Sequence, residues 1–235
     1  MRAKDVMTTE VFSVTIDTSV EDVAALLLRQ GISGVPVTDQ GGAVVGIVSE
    51  GDLMRRPEIG TEDGRGASSW LSLLSDVDEK VKTYVRSHGH RAGDVMSREV
   101  ISADEDTPLG DIARQLEKHR IKRVPVLRDR RLVGIVSRAN LVQALSAVEG
   151  HAPEPPEEDR ELRVRVEKAV RGAGVQMNFL NVIVHDGQVE IWGAVESRIE
   201  RDAVRVALEE TVPPDRVTYH MGLLPERMRS MMWGV

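Results

Sequence analysis

The stretch DVMTTEVFSVTIDTSVEDVAALLLRQGISGVPV, residues 5–37, aligns without a gap on DVMSREVISADEDTPLGDIARQLEKHRIKRVPV, residues 94–126. D-V-M starts, E-V pairs and V-P-V ends all coincide, so one structural unit occurs twice. Each V-P-V is followed by a polar turn, a VVGIV or LVGIV run, and then S-E-G-D-L at 49–53 or S-R-A-N-L at 137–141. Val20, Val23 and Leu27 in one copy, and Leu109, Ile112 and Leu116 in the other, recur at helical spacing. Thr18 with Glu21 makes a capping-box pattern at the first helix, and Thr107 precedes Pro108, a good N1 residue, at the second. The V-P-V and G-I-V runs read as strands. The result is a β-α-β-β-α unit of roughly fifty residues, near the lower limit for burying its own core. Two copies are therefore expected to pack together.

With 235 residues and 41% apolar content the chain is long enough for real cores. A net charge of −7 and 3% aromatic residues argue against a nucleic-acid coat. The absence of cysteine removes disulfides and thiolate metal sites, which suits a reducing compartment. MRAKDVMTTEVFSV lacks the apolar core of a signal peptide, and no run approaches the ~18 apolar residues of a membrane span. A soluble cytoplasmic chain is expected. Nucleophile elbows, H-E-x-x-H and G-K-[ST] phosphate loops do not occur, and His88-Gly89-His90 reads as a turn. The expectation is a non-catalytic protein without a metal centre.

Between the repeats, residues 58–93 begin Gly- and charge-rich, then carry Trp70, Leu73, Leu74, Val77, Val81 and Val85 at near-helical spacing, with Trp70 as the anchor. SAVEGHAPEPPEEDRE has no apolar period and reads as a linker. Beyond it, ELRVRVEKAV is a predicted helix, NFLNVIVHDGQVEIWGAV two strands turning at Asp186-Gly187, ESRIERDAVRVALEET a second helix and DRVTYHM a last strand. The final residues mix Leu223, Leu224, Met228, Met231, Met232 and Trp233 with Arg227 and Arg229, a composition that fits a bilayer interface or packing on the preceding sheet. Packing is preferred, because the tail is short and barely cationic. The expected organisation is repeat 1 at 1–57, insert 58–93, repeat 2 at 94–148, linker 149–158, an αββαβ domain at 159–222 and a tail at 223–235. The fold class is α/β, of the α+β kind.

GISGVPV…VVGIVSEGDL and RIKRVPV…LVGIVSRANL, in phase across residues 1–148, resemble the CBS domain. Its tandem pairs commonly bind adenosine-containing nucleotides in the cleft between repeats. VIVHDGQVEIWGAV and the helix after it resemble the BON domain, an α/β module associated with phospholipid or partner binding, with PPDRV where that family usually has a Gly-Val pair. The CBS resemblance implies a Ser/Thr-x-x-Asp contact to ribose and phosphate. Ser49 and Asp52 carry it in the first copy; Ser137 and Asn140 stand there in the second, where the lost charge weakens or redirects the ribose contact. A strand-to-helix handover also presents free N–H groups and a positive dipole end to an anion. Ser49 as N-cap and Asp52 as a first-turn acid would need no ligand.

Lys122 and Arg123 occupy positions where nucleotide-binding members place phosphate-contacting basic residues. A solvated basic edge is the other reading of HRIKR. The first copy has Ser33 and Gly34 there, with Arg55 or Arg56 able to supply charge. Ile32, Ile47, Ile121 and Ile135 are candidates to sandwich an adenine, each a core residue first and a ligand wall second. The implied ligand is AMP, ADP or ATP, with S-adenosylmethionine and NAD as further candidates, and no cofactor is required. CBS pairs typically associate through helical faces, and Leu26, Leu27 and Leu28 point to several sides of one helix, so a homodimer is expected. Two functions follow from this reading. One is a sensor relaying nucleotide occupancy to the BON-like domain or a protein partner; the other is an interaction module whose CBS pair only dimerises while the BON-like domain binds a protein or phospholipid surface.

Overall fold

The structure, a computed structural model, describes residues 1–54, 85, 88–147 and 155–224. Arg55, Arg56, the predicted helix from Trp70 to Val85 except Val85 itself, most of the linker and the tail from Pro225 onward lie outside the described residues.

Both copies fold in the same order. The first runs α1 (Ala3–Val6), β1 (Val14–Thr15), α2 (Val20–Gln30), β2 (Gly34–Thr38), β3 (Val44–Ser49) and α3 (Glu50–Leu53). The second runs α4 (Ala92–Val95), β4 (Ala103–Asp104), α5 (Leu109–Lys118), β5 (Arg123–Arg128), β6 (Arg131–Ser137) and α6 (Arg138–Ser146). Each forms a three-stranded sheet, β1-β2-β3 or β4-β5-β6, whose first pair is parallel and second antiparallel. The predicted β-α-β-β-α order is thus present twice, preceded each time by a single helical turn on D-V-M.

The helix starts differ by one residue from the expected caps. Ser19, not Thr18, caps α2: its hydroxyl accepts the Asp22 N–H at 3.0 Å. Thr18 is occupied one residue earlier, closing a turn by accepting the Thr15 N–H at 3.1 Å. Likewise Pro108 is the N-cap of α5 rather than its first helical residue, and Thr107 accepts the Asp104 N–H at 2.9 Å. Within α2, Leu27 is buried but Leu28 is 69% exposed.

The chain divides into two compact units, one holding Met1–Val11 with the described residues from Ile101 onward, the other the described residues of Phe12–Val100. Each unit therefore takes its D-V-M turn from the other copy. In the second unit Ile47 and Ser97 exchange both backbone hydrogen bonds, at 3.0 and 2.8 Å, and a Cβ built on Gly46 would fall 2.4 Å from the Met96 sulfur. In the first unit Thr8 and Ile135 exchange theirs at 3.0 Å each, and a Cβ on Gly134 would fall 2.4 Å from the Met7 sulfur. The glycine of each G-I-V run is the floor on which the other copy's methionine lies. Met7 joins Val6, Ile112, Val124 and Val136 in one core, and Met96 joins Val23, Val35 and Val48 in the other. Burying such a side chain stabilises by ~1.5–3 kcal/mol.

The C-terminal part has the predicted αββαβ order: α7 (Glu157–Gly172), β7 (Leu180–His185), β8 (Gln188–Val195), α8 (Arg198–Glu209) and β9 (Val217–Leu223). β7 and β8 are antiparallel, β8 and β9 parallel. Asp186 and Gly187 turn the hairpin with φ of 51° and 72°, the pair of positive angles that a two-residue type I′ loop requires. Asp159 fixes this loop by accepting both of its N–H groups, from Asp186 at 2.8 Å and Gly187 at 2.9 Å. Helix α7 starts four residues before the predicted one, because Pro156 caps it and Glu157, Glu158 and Asp159 favour its positive first turn. β9 continues through Leu223, and Leu224 is buried with its N–H on the Val195 carbonyl at 2.8 Å. The expected tail boundary at Leu223 is therefore too early, and Leu224 is unavailable to a bilayer. No helix among the described residues is long and apolar enough to cross a membrane.

Candidate functional site

Burial alternates along β3: Val44, Gly46 and Val48 are buried, while Ile47 and Ser49 are half-buried on the other face. β6 repeats this with Gly134 and Val136 buried and Ile135 and Ser137 half-buried. Ile47 and Ile135, expected to be core residues first, thus lie on the face turned from the core, which Val48 and Val136 fill instead. Ile32 and Ile121 pack against the margins of their units' cores, as expected.

Strand register sets what stands beside each serine. Gly34 pairs with Ser49 and Arg123 with Ser137, and directly paired residues share a face. The strand partner of Ser49, Gly34, brings no side chain; a Cβ on Gly34 would lie 3.3 Å from the Val48 carbonyl oxygen. Beside Ser137 stands half-buried Arg123, with exposed Lys122 preceding it. The carbonyls of Ser33 and Lys122 play one structural part, accepting the N–H of Glu50 at 3.1 Å and of Arg138 at 3.2 Å where the following helix begins.

At the S-E-G-D handover, one Asp52 carboxylate oxygen accepts the Ser49 N–H at 2.8 Å and the Ser49 hydroxyl at 2.6 Å. The other faces the Ser97 hydroxyl at 3.4 Å. Within the second unit, Ser49, Asp52 and Ser97 thus gather one carboxylate and two hydroxyls next to Ile47. That set can accept from a diol or donate to an anion. Helix α3 is a single turn, so the dipole expected to attract an anion there is small. At S-R-A-N, Asn140 reproduces the closure: its carbonyl oxygen accepts the Ser137 N–H at 2.8 Å and hydroxyl at 2.7 Å. Asn140 is buried, as a neutral amide can be at lower cost than a carboxylate. The two half-sites therefore differ in charge at both variable places, Asp52 with Gly34 against Asn140 with Arg123.

Two members escaped the sequence reading. Ser97 and Thr8 follow D-V-M and bridge to Ile47 and Ile135. The available signal was a hydroxyl residue after the D-V-M of both copies, Thr8 and Ser97. No cluster of three or more His, Asp or Glu residues able to hold a metal occurs among the described residues.

A family model described as CBS domain matches residues 3–58 and 92–147. Uncharacterized protein MJ1426 of Methanocaldococcus jannaschii is 34% identical over 161 residues, which cover 62% of this chain and 91% of that protein. The chloroplastic CBS domain-containing protein CBSX2 of Arabidopsis thaliana is 34% identical over 135 residues, and the chain spans only 55% of its length. Among solved structures, CBSX2 in complex with AMP is similar at a TM-score of 0.54 and 30% identity, over 63% of this chain and 99% of that one.

Proposed function

This chain belongs to the CBS-domain family, and on that premise we propose that it is a non-catalytic sensor: its CBS pair binds an adenosine nucleotide and passes occupancy to the C-terminal domain or a protein partner. The observation that carries the reading is the Ser49, Asp52 and Ser97 cluster in a chain 30% identical to CBSX2, a protein solved with AMP bound. In this reading Asp52 takes the ribose hydroxyls beside Ser49. Lys122 and Arg123 meet phosphate beside Ser137, a role for which a planar guanidinium suits Arg123. Each half-site has its own pair of isoleucines to flank a base, Ile32 and Ile47 in one and Ile121 and Ile135 in the other, and Asn140 offers a ribose no charge.

The αββαβ order and the Asp186-Gly187 hairpin support a BON-like output module. Leu28 at 69% exposure on α2 of one unit, and Val142 at 62% and Leu145 at 74% on α6 of the other, are exposed apolar helix residues that support docking of a second copy of the chain. Ligand shifts the output only by its differential affinity for two arrangements.

Calorimetry of the full chain against AMP, ADP, ATP, NAD and S-adenosylmethionine tests the reading. One binder at about 1 μM, roughly −8 kcal/mol, is expected. Silence with all five overturns the sensor and leaves the interaction module.

A further inference from the structure

The two D-V-M turns are held in different ways. A single-turn helix leaves its C-terminal carbonyls without partners inside the helix, and something else must satisfy them. In α4 the chain supplies its own donor: Arg98, just past the turn, gives a hydrogen bond to the Gly93 carbonyl at 3.2 Å. The residue equivalent to Arg98 in the first copy is Thr9, which has no cation to offer. There the donor comes from α7. Arg163 reaches the carbonyl of Lys4, the equivalent of Gly93, at 2.6 Å and that of Met7 at 2.5 Å. Its Nε is on Glu167 at 3.0 Å, and both side chains are buried, so the guanidinium is held in place by an ion pair as well as by the carbonyls.

Neighbouring contacts lie on the same segment. Arg160 bonds Asp5 at 3.1 Å. Arg171 bonds Thr9 at 2.9 Å and Glu10 at 2.7 Å, and the Glu10 carboxylate accepts the Met177 N–H at 2.8 Å. Between the residues so held sits Thr8, whose backbone exchanges hydrogen bonds with Ile135 on the face that carries Ser137.

We infer that Arg163 is a positioning residue for the second-copy half-site: through the Lys4 and Met7 carbonyls it sets Thr8 against Ile135, so the C-terminal domain tunes that half-site and leaves the Ser49 half-site alone. The inference rests on the proposed nucleotide reading only for what the half-site binds; the positioning itself concerns the unliganded protein.

Two comparisons on the full chain test it. In amide hydrogen exchange without ligand, Arg163→Gln should raise exchange at Thr8 and Ile135 on the order of tenfold, with Ile47, Ser97 and the β8 residue Ile191 exchanging as before. No rise at Thr8 and Ile135, or an equal rise at all five, overturns the inference. If Arg163→Gln does not fold, Arg163→Lys, which keeps the charge but cannot span both carbonyls and Glu167, is read by the same criterion. In the second comparison AMP is titrated into Arg163→Gln combined with Asp52→Ala, which leaves the second half-site, and with Asn140→Ala, which leaves the first. Several-fold weakening is expected in the Asp52→Ala background only, and equal effects in both contradict the inference. If neither background binds AMP even with Arg163 intact, the nucleotide reading falls, and the exchange comparison alone decides the positioning role.

Discussion

Gly46 and Gly134 have no room for a methyl group, because a Cβ at either would sit 2.4 Å from the sulfur of Met96 or Met7. Gly46→Ala should cost ~1–3 kcal/mol by overpacking. Shortening the methionine removes the clash, so Gly46→Ala with Met96→Ala should cost less than the sum of the two single changes. Chemical denaturation of the four proteins gives that cycle; strict additivity would mean that the two residues do not meet. Both partners are conspicuous in the sequence as D-V-M and G-I-V. Their crossed pairing is not, since two copies that carry the same motifs give no sign of which D-V-M lies on which strand. The same blindness hid Ser97 and Thr8 from the candidate site. A related case is Arg120, which stands where the first copy has Gly31 and adopts the same left-handed conformation, φ 52° against 59°. Only alignment on that glycine discloses the turn, because nothing in arginine's own preferences favours it.

Among the elements, those with a full period or a distinctive turn were legible: α2, α5, the V-P-V and G-I-V strands, and the Asp186-Gly187 hairpin. Helix starts slipped by one to four residues where two side chains competed for the cap, as Thr18 and Ser19 do, or where acids read as linker belong to a first turn, as at Glu157. The D-V-M turns, four residues each, are too short to show any periodicity. Asp159 shows how an apparent linker acid can be structural: it is buried and holds both N–H groups of the β7-β8 loop. Asp159→Ala leaves two amides without their acceptor and should destabilise the C-terminal domain by about 2 kcal/mol. Thermal unfolding followed at Trp192 would report this, and an unchanged midpoint would show the loop to be solvated instead.

At the scale of the whole molecule, the repeat foretold two similar folds and the acidic, cysteine-free composition foretold nothing about their assembly. Each compact unit draws its sheet from one copy and its D-V-M turn from the other, so a single repeat excised from the chain would lack the methionine its own glycine accommodates. Within its own unit the C-terminal domain joins this exchange, where α7 holds the N-terminal segment through Arg163, Arg160 and Arg171. The two half-sites differ in charge: one has Asp52, with Gly34 paired to its serine, and the other has Asn140, with Arg123 paired to its serine. Titrating AMP into the 15N-labelled full chain tests the central claim most directly. The account predicts saturable shifts at the amides of Ser49, Asp52 and Ser97 that disappear in Asp52→Ala; an absence of shifts, or saturable shifts that leave these three amides unmoved, would contradict it.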